Sequence, residues 1–225
     1  MDIRENFDNI KREISEACGK VDRNPEDVKV IAVTKYVTDE RVEQAIEAGV
    51  DAFAENRPQN YLERKQKYSD KEWHLIGSLQ TRKVRDVINH VDYFHALDRE
   101  SLAKEIEKRA NNEINCFVQV NISGEESKHG LTPLETIEFV VGLEKYTKIK
   151  VIGLMTMAPF VEDEGVLRNC FKKLKQLRDE VRELNLDYAP CEYLSMGMSN
   201  DYKIAIEEGA THVRIGTLLV GNELK

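Results

Sequence analysis

Short apolar runs rich in β-branched residues alternate with longer amphipathic stretches almost without a break. This alternation restricts the fold more than any single motif does. The apolar runs fall at 30–34, 52–55, 73–77, 93–96, 117–121, 151–157, 193–196 and 213–216. Helical periodicity marks 39–48, 99–110, 133–144, 166–184 and 201–208 between them. Eight strands, each followed by a helix, in 225 residues is the count for a closed (β/α)8 TIM barrel of the α/β class. An open doubly wound sheet is the competing solution, but no Gly-x-Gly-x-x-Gly turn follows the first run. Ahead of the barrel, Ile3, Phe7, Ile10 and Ile14 stand at helical spacing and predict an extra N-terminal helix over about residues 1–20. No linker or composition shift interrupts the chain, so one domain over 1–225 is expected.

Composition narrows the function classes. Hydrophobic residues make up 41% and charged residues 33%, ordinary for a globular chain with a core of its own. The net charge of -8 argues against nucleic acid or an anionic membrane as main partner, though it allows a local basic pocket for one phosphate. Cys18, Cys116, Cys170 and Cys191 are scattered without CxxC spacing, so neither a disulfide framework nor a metal site is expected. The N-terminus lacks a signal-peptide core, and nowhere do eighteen apolar residues run together. A reduced, cytoplasmic setting is the expectation.

Three places carry candidate chemistry. Lys35 closes the first run just before the helix start at Thr38-Asp39-Glu40, and in parallel α/β folds reactive groups collect where strands end. It reads either as an amine able to form an imine with an aldehyde or as a lysine whose stem packs while its ammonium reaches water. Leu194-Ser195-Met196-Gly197-Met198-Ser199-Asn200-Asp201 leaves the seventh run through a glycine and enters a helix through good N-cap residues. Such a start can hold a phosphate or can be an ordinary cap. Val213-Arg214-Ile215-Gly216-Thr217 places a guanidinium within an apolar run, where it must pair with a carboxylate or face a ligand. Loops after barrel strands seven and eight often form a phosphate site. A lysine after strand one, a phosphate cradle after strands seven and eight and an arginine between them suit a flat phosphorylated aldehyde such as pyridoxal phosphate.

Six motifs then carry a resemblance. Ala32–Lys35 (Ala-Val-Thr-Lys), Ala54–Asn56 (Ala-Glu-Asn), Trp73–Gln80 (Trp-His-Leu-Ile-Gly-Ser-Leu-Gln), Gly153–Met157 (Gly-Leu-Met-Thr-Met), Leu194–Ser199 (Leu-Ser-Met-Gly-Met-Ser) and Val213–Thr217 (Val-Arg-Ile-Gly-Thr) resemble, in order, those of the pyridoxal phosphate homeostasis proteins. That YggS/PROSC family is itself similar to the N-terminal barrel of alanine racemase, the type III fold of pyridoxal phosphate proteins. The resemblance implies pyridoxal 5′-phosphate held as a Schiff base on Lys35. It implies phosphate contacts from Ser199, the backbone around Met198, Gly216 and Thr217. It also implies that Asn56, His74 and Met155 line the ring and entrance, with Arg214 at the ring nitrogen. For His74 a core role competes, as does core packing for Met155 and Met157. Departures such as Ala54 for a usual glycine, Arg82 for asparagine and Val220 for phenylalanine affect the cavity rim.

The role implied is a monomeric, non-catalytic carrier in vitamin B6 homeostasis, with pyridoxal phosphate-dependent apoenzymes as possible recipients. An arginine at the ring nitrogen weakens the electron sink that amino-acid chemistry needs. The chain is also expected to end too soon after its eighth strand to add the racemases' C-terminal β domain. A small racemase-like enzyme with His74 or a tyrosine as second base is the alternative; a cofactor-free Schiff-base aldolase is a weaker one.

Overall fold

The structure, a computed structural model, describes residues 1–126 and 129–224; Lys225, the last residue of the expected domain, lies outside them. Eight strands form a closed parallel barrel in sequence order. They are β1 (Lys29–Val33), β2 (Ala52–Glu55), β3 (Glu72–Leu75), β4 (Tyr93–Leu97), β5 (Ile114–Gln119), β6 (Ile149–Met155), β7 (Tyr193–Ser195) and β8 (His212–Ile215). Closure is made by β1 against β8, in a register that runs from Lys29 opposite His212 to Ala32 opposite Ile215. The expected TIM barrel is therefore the fold observed.

The helices are α1 (Ile3–Lys20), α2 (Asp39–Glu47), α3 (Pro58–Lys67), α4 (Thr81–Val87), α5 (Glu100–Arg109), α6 (Pro133–Gly142), α7 (Glu164–Glu183), α8 (Tyr202–Glu207) and α9 (Thr217–Val220). The Asp2 carboxylate accepts from the Arg4 and Glu5 amides and so caps α1. That helix buries Ile3, Phe7, Ile10 and Ile14, the stripe its spacing predicts, against α8, α9 and α2. Periodicity did not mark α3, α4 or α9. In α3 only Tyr61 is buried, so the helix carries almost no apolar stripe to read. Its tyrosine is fixed instead by a hydroxyl that donates to the Trp73 and His90 carbonyls.

Most strands end earlier than the sequence reading places them, although β4 runs one residue further, to Leu97. The third and sixth runs continue as apolar sequence to Gly77 and Met157, while the ladders stop at Leu75 and Met155. Their last residues have left the sheet and line the mouth of the barrel. Gly153 marks where β6 and β7 press together, since a Cβ there would lie 2.3 Å from the Tyr193 carbonyl oxygen.

The large core lies between sheet and helices, and two smaller clusters are separate from it. Ile31, Val33, Ala52 and Ala54 form one, and Phe117, Ile152 and Met155 the other. Both face the barrel interior, where alternate residues of each strand point. Between them stand buried polar groups: His74, His95, Ser195, His212 and Arg214. Among the described residues, no helix is long and apolar enough to cross a membrane.

Candidate functional site

At the C-terminal ends of the strands a cavity of about 620 Å³ opens. Lys35, Asn56, Met155, Met198, Ser199, Arg214, Gly216 and Thr217 all line it. Eight of the nine residues expected at the site are thus brought to one hollow, from chain positions up to 182 apart (217 − 35). A second hollow, about 800 Å³, lies at the opposite end of the barrel, lined by residues such as Lys29, Arg178 and His212. It is wide open, and several of its cations are already engaged: Lys29 by Glu72, Arg178 by Asp179 and the Glu192 carbonyl. The mouth at the strand C-termini is where barrel chemistry collects.

Lys35 stands two residues past β1. Thr34 anchors its backbone, donating its amide to the Ala54 carbonyl at 3.1 Å and its hydroxyl to Glu55 Oε1 at 2.7 Å. The ammonium lies 4.9 Å from the Tyr36 ring centroid. On its other side Lys35 lines a smaller hollow, about 270 Å³, together with Glu55, Asp39 and Arg64. Glu55 is buried and Arg64 Nε is 3.4 Å from its Oε1, yet its Oε2 meets no hydrogen-bond partner. Burial pushes this carboxyl up, against the Thr34 hydrogen bond and the charges of Arg64 and Lys35. The sequence reading did not assign Glu55 a role, although an acid inside the apolar run Ala52-Phe53-Ala54 is a signal.

Asn56 is set by its neighbour: a Cβ on Gly77 would sit 2.2 Å from the Asn56 carbonyl oxygen, so only glycine lets the two strand exits meet. Across the mouth, the chain leaves β7 through Gly197, at φ +101°, where a Cβ would be 2.8 Å from Ala205. The following turn is fixed by the Met198 amide, which donates to Asp201 Oδ1 at 2.7 Å. Among the described residues, the amides of Ser199 and Asn200 find no protein acceptor. The Ser199 hydroxyl, 3.4 Å from the Leu218 amide, brings this turn beside the start of α9, whose first amides have no intrahelical partner. Free amides, two hydroxyls and the Gly216-Thr217 backbone make a donor-rich wall suited to an anion.

Arg214 stands between that wall and the barrel interior. It is 3% exposed, donates from Nη1 to Ser195 Oγ at 2.5 Å and from Nη2 to the Thr156 carbonyl at 3.1 Å. Burial pulls its guanidinium down to about 10, with the Asp201 carboxylate opposing, so it remains a cation at neutral pH. Met155, Met157, Val33 and Ile76 supply apolar lining to the same cavity.

His74 is the exception. It does not line the cavity but lies within the barrel, fully buried, its Nδ1 2.7 Å from His95 Nε2 and its Nε2 2.7 Å from Glu72 Oε1. Along β3 and its exit the inward positions are 72, 74 and 76, and Ile76 occupies the level facing the cavity. His74 therefore sits one layer below the residues that line the cavity, apart from the other eight expected at the site. The residues missed here are its partners, His95 and Ser195. Their signal is a polar residue at an inward position of an otherwise apolar strand.

With this geometry in view, comparison with known proteins is informative. A family model described as alanine racemase, N-terminal domain, matches residues 5–223. A pyridoxal phosphate homeostasis protein of Aquifex aeolicus is 40% identical, over 98% of this chain and 98% of its own. The chain belongs to the pyridoxal phosphate homeostasis protein family. A Haemophilus influenzae protein of the same name is 35% identical over 98% of this chain and 96% of its own. Among solved structures, PipY of Synechococcus elongatus, with PLP bound, is 28% identical with a TM-score of 0.80, covering 92% of this chain and 100% of that one. Family membership agrees with the barrel and with the six motifs, three of which contribute the cavity's lysine, anion wall and arginine.

Proposed function

We propose that this chain binds pyridoxal 5′-phosphate in the C-terminal mouth, attached to Lys35, and holds it for vitamin B6 homeostasis without turning over amino acids. The observation that carries this reading is the placement of one amine and one anion wall on the same slot, with a buried cation between them. Bound there, the cofactor would supply an aldehyde able to condense with a primary amine, with loss of one water. Lys35 Nζ is the amine. Ser199, Thr217 and the free amides of the Ser199–Asn200 turn hold the dianion, a contact strengthened by charge. Met155, Ile76 and Val33 cover the ring faces and exclude water from them, while Asn56 borders the slot beside Lys35.

Arg214 supports the non-catalytic reading. It keeps its own protons near neutral pH and has N–H donors to offer, so a ring nitrogen facing it serves as acceptor and gains no proton of its own. The electron sink is then weak. His74 cannot serve as a second base, because it lies below the cavity floor. Four buried cysteines outside any disulfide accord with a reduced cytoplasmic setting, and delivery to apoenzymes would follow from a monomer holding the cofactor at an open mouth.

Titration with pyridoxal phosphate, followed by borohydride reduction, intact mass and peptide mapping, tests the attachment. One adduct on Lys35 is expected, and Lys35→Ala should abolish it while leaving weaker, phosphate-driven binding. An adduct on another lysine at undiminished yield would refute the assignment. Exchange of an amino acid's α-proton into heavy water at an enzymatic rate would overturn the non-catalytic part.

A further inference from the structure

Arg214 is the upper end of a line of hydrogen bonds that crosses the barrel. Its Nη1 lies 2.5 Å from Ser195 Oγ, Ser195 Oγ is 2.9 Å from His95 Nδ1, and His95 Nε2 is 2.7 Å from His74 Nδ1. His74 Nε2 then lies 2.7 Å from Glu72 Oε1, which Lys29 Nζ also meets at 2.7 Å. Ser195, His95 and His74 have no exposed surface, so no solvent can substitute for a missing partner.

With both imidazoles neutral, the hydrogen count allows one direction only. A guanidinium donates and never accepts, so Ser195 Oγ accepts from Arg214. At the other end an ionised carboxylate accepts and never donates, so His74 must carry its hydrogen on Nε2. Neutral His74 then accepts at Nδ1, which places the hydrogen of His95 on Nε2. His95 Nδ1 in turn accepts from the Ser195 hydroxyl, giving that hydroxyl its acceptor. The reverse order would leave His74 Nε2, a lone pair, against a carboxylate. Glu72 is well suited to end the line: burial raises its carboxyl, but the hydrogen bonds from His74 and Lys29 outweigh burial and hold it at about 2. Burial disfavours a charged His74 against the opposing Glu72 and Asp92 carboxylates, with Lys29 adding to burial, and burial together with His74, Arg214 and His212 disfavours a charged His95.

We propose that Ser195, His95, His74 and Glu72 are positioning residues for Arg214, forming a one-way hydrogen-bond chain that aims its remaining N–H groups into the cavity. The ligand part rests on the pyridoxal phosphate reading above; the chain itself does not. Its direction is imposed from the far end of the barrel, by a carboxylate that touches neither Arg214 nor the cavity.

Long-range ¹H–¹⁵N correlation of the ligand-free protein at neutral pH reads the imidazoles directly, with each ring assigned by a single-histidine variant. His74 and His95 should both be neutral Nε2–H tautomers, and Glu72→Gln should mix the tautomers, since an amide can donate as well as accept. A wild-type His74 or His95 found as Nδ1–H or doubly protonated would overturn the proposal. The second arm is pyridoxal phosphate affinity and the visible absorption of the bound cofactor. His95→Leu should weaken binding about tenfold and shift the absorption maximum, the loss of about one hydrogen bond's worth of positioning. His95→Gln can accept from Ser195 and donate to His74, and should restore affinity to within about threefold. Both variants should bind a ring analogue lacking the nitrogen as the wild type does. Equal losses with Leu and Gln, or equal losses for the analogue, would make His95 a packing residue only and refute the positioning role. If wild-type protein binds no pyridoxal phosphate, the functional reading falls, while the tautomers still decide the chain.

Discussion

Three imidazoles inside one barrel should make this protein sensitive to mild acid. Burial is the main cause that holds His74 below its ordinary range, His95 well below it and His212 down to about 3. In the unfolded chain each would titrate near about 6.5. The native state therefore binds fewer protons than the unfolded state below that pH, and stability present above about 6.5 is lost as pH falls. Going from pH 7.5 to 5.5, an imidazole that stays neutral in the native state gives up about 1.4 kcal/mol, so His95 and His212 together give up about 3 kcal/mol, and His74 adds in the same direction. That is a large share of the roughly 5–15 kcal/mol typical of a whole domain. Glu55 and Asp201, whose carboxyls burial raises, act in the opposite sense. Urea unfolding of ligand-free protein at half-unit steps between these pH values gives the slope, which steepens toward pH 5.5 as each such imidazole approaches one proton of difference between the two states. His212→Phe, in a ring cluster with Tyr193 and Phe117, should remove the share of one imidazole, about 1.4 kcal/mol of that loss. A total loss under about 1.4 kcal/mol would mean that at most one histidine is held neutral, and the reasoning about the interior would be wrong.

Ser199→Ala should weaken pyridoxal phosphate binding by about 0.5–1.5 kcal/mol, or up to about 3 for a charged acceptor, read by fluorescence titration; unchanged affinity would remove Ser199 from the anion wall. Gly77→Ala should destabilise the fold by about 1–3 kcal/mol in urea, because the new methyl would meet a backbone oxygen 2.2 Å away, and the Asn56 segment would have to shift; a neutral result would show that the two exits are not tightly joined. Glu55→Gln removes a carboxyl that burial raises, so the wild type loses stability as pH rises through that range while the variant does not. At pH 7.5 the variant should be at least as stable, and a marked loss there would show that the contact to Arg64 dominates.

Much of this protein was legible in its sequence, for a definite reason. Strand–helix alternation is a local pattern, and eight repeats of it leave few ways to bury every apolar face. Lys35, Ser199, Arg214 and Thr217 could be placed because strand ends in a parallel barrel share one rim, so position along the chain already implied position around the mouth. Helix α3 escaped detection because its order comes from Tyr61, Arg64 and Lys65 reaching other elements, not from a stripe of its own. The depth of each inward residue was a different kind of quantity. Strand ends and the stagger between neighbours decide whether a side chain faces the cavity or lies a layer beneath it, and no short-range pattern encodes that. His74 shows the consequence: the sequence left it between the cofactor and a core role, and only the closed barrel set it below Ile76 and against His95 and Glu72. Residues 72, 74, 95, 195 and 214 come from four strands, and what joins them is the geometry of closure, because a buried donor needs an acceptor wherever the folded chain happens to bring one.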